Sequence, residues 1–245
     1  YRARGAIFGS PVFDEDGNVF FSDSAGYVTA IDAVEAQSPV APLWESKIEG
    51  PLWASPTVFG EDIFVPTLKG KVYRRDRTST LLSITPQEIF DAGTPIRGSL
   101  VAFAEAGQTY LLFGTLGRGA VGPERIRIWG NGSGYSWRRP APGPYYASPA
   151  VDTQAPTPIA VFVSYDGTLS VVELANGMPV SPGGETVLTT LGQVYGSPGI
   201  ASGVVFVTGT SRELAAVPIS LSPVEYHGST AGSRSSVAIS RDLIV

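Results

Sequence analysis

The chain has no cysteine, a single histidine and a single methionine in 245 residues. Without cysteine there are no disulfides, no thiolate nucleophile and no cysteine-ligated metal. The lone His227 cannot build a multi-histidine metal site, and a Ser-His-Asp triad around it would need convergent partners. It reads as a surface residue. Positive charge is also scarce: 17 Lys and Arg against 22 Asp and Glu give a formal net charge of −5. The basic residues are scattered, so no stripe exists to release counterions from a phosphate backbone, and nucleic acid is not an expected partner. No apolar run approaches the ~20 residues that cross a bilayer as a helix, and no basic amphipathic helix is visible, so direct membrane insertion is not expected.

What is abundant is turn chemistry. The chain holds 29 Gly and 20 Pro, one residue in five, among many Val, Ile, Thr, Phe and Tyr. Gly and Pro interrupt helices and punctuate turns, so this density predicts many short strands and an all-β fold. A hydrophobic content of 43% is ample for a packed core.

A phrase of the form small-Ser-Pro-apolar recurs along the chain. It appears as Gly9-Ser10-Pro11-Val12, Ala54-Ser55-Pro56-Thr57, Ala147-Ser148-Pro149-Ala150 and Gly196-Ser197-Pro198-Gly199. Weaker copies are Gly98-Ser99-Leu100-Val101 and Ser235-Ser236-Val237-Ala238. The serines at 10, 55, 99, 148, 197 and 236 are spaced by 45, 44, 49, 49 and 39 residues. Each phrase opens the same series: a Gly/Asp-rich turn, an apolar strand such as Ile63-Phe64-Val65 or Val204-Val205-Phe206-Val207, a second turn, and an alternating strand such as Tyr27–Ile31 or Thr168–Val172. The last strand carries Trp at Trp44 and Trp137. Each unit is thus a meander of about four strands, too small to bury both faces alone. Radial stacking of such units gives a β-propeller, and its period matches the ~40–50 residues found here.

The order Ser-Pro-Val, turn, apolar strand, Asp-Gly, alternating strand, Gly and Trp resembles the propeller repeat of the pyrroloquinoline quinone (PQQ) type. The first unit, from Ser10-Pro11-Val12 through Ser24-Ala25-Gly26-Tyr27-Val28-Thr29-Ala30-Ile31-Asp32 to Leu43-Trp44, and the fourth, with Tyr165-Asp166-Gly167-Thr168-Leu169, match best. The third departs, lacking the Pro and carrying a Gly-rich insertion at 114–122. The resemblance implies five complete four-stranded antiparallel blades plus a split or incomplete sixth. Together they form a single domain over 1–245 whose units start near 10, 55, 99, 148, 197 and 236. Tyr1-Arg2-Ala3-Arg4 falls where the outer strand of a preceding unit is expected, so the chain is read as part of a longer one. Two branches of the resemblance matter. Quinoprotein alcohol dehydrogenases are longer, eight-bladed members that hold PQQ and usually calcium on the axis, with adjacent cysteines and an Asp base. Scaffold members, similar to the outer-membrane assembly lipoprotein of the barrel-insertion machinery, carry no cofactor.

Several residues are candidates for sites. Asp14, Asp16 and Asn18 place oxygens at alternate positions, as a hard cation such as calcium prefers, although Asp-Gly-Asn is also an ordinary hairpin turn. The segment 114–122 lacks the Gly-Lys-Ser/Thr of a phosphate loop and reads as an inter-strand loop able to carry a contact surface. Asn131-Gly132-Ser133 fits the glycosylation pattern but reads as a turn. Trp44, Trp129 and Trp137 read as packing residues. Trp53, Tyr145, Tyr146 and Tyr195, like Ile7-Phe8, immediately precede the Ser phrase. They are expected near the axis on one face, where they would serve either packing or a protein partner.

The functional expectation is a non-catalytic, extracytoplasmic propeller acting as a protein-interaction or assembly scaffold, with no catalytic residue, cofactor or metal assigned. A PQQ-dependent or degraded quinoprotein and a carbohydrate- or surface-binding module are the alternatives.

Overall fold

The apolar runs bounded by Gly- and Asp-rich turns fold as short antiparallel strands, and no helix occurs among the described residues. The computed structural model describes residues 1–34, 40–79, 84–117, 122–129, 132–181, 184–211, 213–221, 223–228, 232–237, 239–240 and 243–244. Part of the Gly-rich insertion and Asn131 of the glycosylation pattern lie outside them.

Five four-stranded sheets follow one another in sequence, each pairing its strands in chain order. The first sheet contains β1 (Val12–Phe13), β2 (Asn18–Ser22), β3 (Tyr27–Asp32) and β4 (Trp44–Lys47). The second contains β5 (Thr57–Phe59), β6 (Asp62–Pro66), β7 (Lys71–Asp76) and β8 (Gln87–Asp91). The third contains β9 (Val101–Glu105), β10 (Gln108–Phe113), β11 (Glu124–Trp129) and β12 (Gly132–Arg138). The fourth contains β13 (Ala150–Asp152), β14 (Ile159–Val163), β15 (Thr168–Glu173) and β16 (Glu185–Val187), and the fifth β17 (Gly199–Ala201), β18 (Val204–Thr208), β19 (Glu213–Pro218) and β20 (Glu225–Gly228). A two-stranded sheet, β21 (Ile239–Ser240) and β22 (Leu243–Ile244), follows. Five complete meanders and one short sheet are the count that the serine spacing predicts.

The residues group into two compact units, Tyr1–Leu111 with Ile126–Gly134, and Leu112–Arg125 with Tyr135–Val245. In the first unit the opening strands β1, β5 and β9 run beside one another. Phe20, Val28, Ala30 and Trp44 of the first sheet pack on Ile63, Val65 and Tyr73 of the second. In the second unit β13, β17 and β21 lie side by side in the same way. There Val161, Val163, Leu169 and Val171 of the fourth sheet pack against Val205, Val207, Ala215 and Val217 of the fifth. Middle strands are therefore covered on both faces, and β14 is buried along its whole length. This is why those strands read as unbroken apolar runs rather than as alternating ones.

The turn between second and third strands repeats its chemistry. A short polar side chain at its start accepts the backbone N–H four residues on: Tyr27 to Asp23 (3.1 Å), Lys71 to Thr67 (3.1 Å) and Thr168 to Ser164 (3.0 Å). The residue before each of these donors is a glycine with φ of 83–87°, at Gly26, Gly70 and Gly167, a region that a side chain would strain.

Tyr1–Arg4, expected to form a strand, has no strand pairing and lies against the first sheet. The Arg4 and Gly5 amides donate to the Asp23 carboxylate (both 3.1 Å), and the Arg4 guanidinium pairs with Glu45 at 2.8 Å.

Candidate binding site

The recurring phrase has a structural role at each of its positions. The serine supplies a hydroxyl that accepts the backbone N–H of the preceding unit's serine. Ser55 N donates to Ser99 Oγ in the first compact unit, and Ser148 N to Ser197 Oγ and Ser197 N to Ser236 Oγ in the second, each at 3.0 Å. The residue before the serine is small because the next repeat runs against it. A Cβ on Gly9 would sit 2.5 Å from Ser55 N, and one on Gly196 would strike the Ser235 carbonyl. The proline comes immediately before the opening strand, where a missing N–H costs no ladder bond. Ser99 and Ser236 are followed by Leu100 and Val237 instead and still accept their bonds, so the serine and not the proline is the indispensable member.

In four of the six repeats the residue three before the serine points into the core: Leu52, Ile96, Tyr145 and Val194 are 0%, 1%, 1% and 0% exposed, whereas Ile7 is exposed and Ser233 half-buried. Tyr145 is therefore not a surface candidate. Its phenol is pushed well above its ordinary value by burial, with the charge of Glu185 acting in the same direction. Because the segment is extended, the residue two before the serine faces the opposite way, and this position is Phe8, Trp53, Arg97, Tyr146, Tyr195 and Arg234 in successive repeats.

In the first compact unit Phe8 lies on Trp53 with ring centroids 4.7 Å apart, and the Arg97 guanidinium sits 5.1 Å from the Trp53 centroid. In the second, Tyr146 meets Tyr195 at 5.6 Å, and the exposed Arg234 guanidinium sits 5.0 Å from the Tyr195 centroid. Each unit thus presents the same series, aromatic, aromatic, arginine, one residue per repeat. The second unit adds Tyr165 from the β14–β15 turn, 4.9 Å from Tyr146 and 5.3 Å from Tyr195. The Tyr165 phenol is held above its ordinary value, chiefly by its hydrogen bond with Tyr195, while Arg234 pulls it the other way. The Tyr195 hydroxyl donates to Gln193 Oε1 at 3.3 Å. Such clusters bind through flat, rigid, amphipathic surface and an oriented guanidinium, both common at interaction hot spots.

Of the four tyrosine and tryptophan candidates, Trp53, Tyr146 and Tyr195 occupy this outward position. Arg97, Arg234 and Tyr165 were not foreseen. The fixed offset from each serine marks both arginines, whereas nothing in the sequence marks Tyr165, which arrives from a different turn.

The other tryptophans link neighbouring sheets. Trp44 Nε1 donates to Arg77 O (3.3 Å) and Trp137 Nε1 to Leu174 O (3.0 Å), in both cases the residue following the next sheet's third strand. The buried Arg75 guanidinium lies 3.5 Å from the Trp44 centroid, and burial lowers its pKa to about 10. The Trp129 side chain lies outside the described residues. His227 is exposed, with Glu225 3.9 Å away.

The calcium candidate is built as a turn. Asp14 Oδ1 accepts the amides of Asp16 (3.1 Å) and Asn18 (2.8 Å), while Oδ2 accepts Asn18 Nδ2 (2.9 Å) and Arg77 Nη1 (2.5 Å). Burial opposes the Asp14 charge, but the bonds from Asn18 and the Arg77 guanidinium hold its pKa below the usual carboxylate range. Arg77 also lies 3.5 Å from Asp16 and Glu15, so a guanidinium stands where the metal would have to enter. Among the described residues no group of three or more His, Cys, Asp or Glu is arranged to hold a metal ion.

No family model matches the chain. No curated protein matches it by sequence. Among solved structures, the computationally designed Ika8 protein superposes with a TM-score of 0.73 at 11% identity, over 99% of this chain and 68% of that one. BamB from Moraxella catarrhalis, itself a β-propeller, superposes with a TM-score of 0.66 at 16% identity, over 95% of this chain and 67% of its own. The fold is a β-propeller. At these identities the likeness concerns the fold alone, and the five meanders are its blades.

Proposed function

We propose that this propeller is a non-catalytic scaffold that binds protein partners, working outside the cytoplasm. The observation that carries the reading is the outward series two residues before each serine, in which aromatic rings hold four positions and arginine the other two, where a solvated face typically carries small polar residues, Lys, Asp or Glu. At Trp53, Arg97, Tyr146 and Tyr195 the side chain is turned from the core, because the neighbour at the preceding position fills it. Their composition matches the anchors that supply most of the binding energy at protein interfaces. The extracytoplasmic assembly form of this reading follows the sequence resemblance to the scaffold members of the PQQ-type repeat, and BamB shares the fold.

A carbohydrate-binding reading stands second. It is favoured by Phe8, which is 58% exposed and tilted only 34° from Trp53, a partly continuous apolar platform.

The test is a photo-crosslinking amino acid placed at position 195, with one at the 55% exposed Val187 on the outer strand β16 as control, in the native cell. Protein adducts specific to position 195 are expected. Adducts equal at both positions would reject the reading. Separately, the purified chain is incubated with PQQ, calcium and an artificial electron acceptor, and steady oxidation of alcohols or sugars would make it an enzyme instead.

A further inference from the structure

We infer that the Tyr146–Tyr165–Tyr195–Arg234 cluster is a docking niche for an acidic, extended peptide segment of the partner protein, an inference that rests on the scaffold reading above. Three features of the niche select this occupant. The first is charge. Arg234 is exposed and makes no ion pair among the described residues, and its guanidinium lies over the Tyr195 ring, 5.0 Å from the centroid. A guanidinium placed on an aromatic face and without an ion pair among the described residues, on a chain of net charge −5, is a local reversal of sign. It attracts a carboxylate, which it can meet through paired N–H donors while keeping its stack. Asp166, next to Tyr165, accepts a hydrogen bond from the Ser164 hydroxyl.

The second is ring geometry. Tyr195 stands at 72° to Tyr146 and 86° to Tyr165, so the three rings form a corner of faces and edges. A sugar chain stacks on coplanar, open faces, whereas here Tyr195 stands across the Tyr146–Tyr165 pair, itself tilted by 39°, and such a corner receives individual side chains and the peptide groups between them. The phenol hydroxyls and Gln193 supply donors and acceptors for those peptide groups.

The third is repetition. The series aromatic, aromatic, arginine recurs as Phe8, Trp53 and Arg97 at the same register of the first compact unit. One such arrangement could be incidental packing. Two at equivalent positions, formed from different aromatic residues but ending each time on arginine, point to a retained pairing of ring and guanidinium.

The test is selection from a random dodecapeptide display library on the immobilised full chain, with Arg234→Glu and Tyr195→Ala variants in parallel. Both substituted positions are at the surface, and thermal melts establish that the variants fold. Enrichment of Asp and Glu is expected on the wild type, with a reversal toward Lys and Arg on Arg234→Glu. Recovered peptides should bind Tyr195→Ala about tenfold more weakly, the loss expected for an anchor residue. Peptides without acidic bias, or peptides that bind all three proteins equally, overturn this niche while leaving the scaffold reading intact. A library that yields nothing also overturns it. If in addition cellohexaose or chitohexaose binds the wild type and not Tyr195→Ala, the scaffold reading falls with it and the carbohydrate reading replaces it.

Discussion

Replacing Ser197 by alanine keeps its own N–H, which donates to Ser236, and deletes the hydroxyl that accepts the Ser148 amide at 3.0 Å. The substitution removes one oxygen and leaves one partly buried N–H without a partner. An unsatisfied buried donor costs about 1–3 kcal/mol, and partial access of water to this site places the expected loss at about 1–2 kcal/mol. For a domain of this size each kcal/mol lowers the melting temperature by about 2–4 °C, so a drop of about 2–8 °C is expected by circular dichroism or scanning calorimetry. Ser99→Ala, which strips the acceptor from the Ser55 amide, should behave alike. Ser236→Ala should cost less, because the Ser197–Ser236 bond is exposed. Ser181 provides the control: its hydroxyl donates to the Ser220 carbonyl at an exposed site, and its removal should stay within about 0.5 kcal/mol. Equal melting temperatures for Ser197→Ala and Ser181→Ala would refute the assignment of the serines as blade-to-blade acceptors.

Trp137→Phe keeps a ring but loses the 3.0 Å bond to Leu174 O, so about 0.5–1.5 kcal/mol should be lost, whereas Trp137→Ala should cost about 3–5 kcal/mol in denaturant melts. Glu124 is fully buried, and burial raises its pKa to about 7, against the opposing charge of Arg138. The folded state then holds a proton that the unfolded state has released, so stability should fall by about 1–3 kcal/mol as pH rises from about 4.5 to 7. Glu124→Gln should remove that slope in melts taken across the range, and an unchanged slope would reject it. Arg77→Met leaves the buried Asp14 carboxylate without its cation and should cost about 3–5 kcal/mol, while millimolar calcium should leave the wild-type melt unmoved. A calcium-dependent rise in the wild type would restore Asp14, Asp16 and Asn18 as a metal site.

The fold was readable because the propeller repeats its wording. Ser10, Ser55, Ser99, Ser148, Ser197 and Ser236 are phased along the chain, and the pairs Ser55–Ser99, Ser148–Ser197 and Ser197–Ser236 use the same backbone approach, so one local solution recurs in sequence. The apolar runs of β6 and β14 were equally plain, since strands covered on both faces need not alternate. The reason for the serine was not readable, because its hydroxyl acts on a residue 39 to 49 positions away. The site was half readable. Trp53, Tyr146 and Tyr195 stood out as aromatics, but so did Tyr145, and only the alternation of the extended segment sends Tyr145 inward and Tyr146 outward. Arg97 and Arg234 share the outward position without looking like their aromatic counterparts, and Tyr165 joins through a turn with no periodic signal. Asp14 and its neighbours allowed both a hairpin turn and a cation site, and what the sequence does not show is that Arg77 from the next blade brings the positive charge to Asp14.

Amide hydrogen exchange at Ser55, Ser148 and Ser197 tests the blade-to-blade arrangement most directly, because none of these residues belongs to a strand and none has a sheet ladder to protect it. The structure predicts exchange slowed by roughly a hundredfold or more against an open loop amide, as for a hydrogen-bonded N–H that opens only with local unfolding. Exchange of all three at the rate of the exposed turn amide of Gly60 would contradict it.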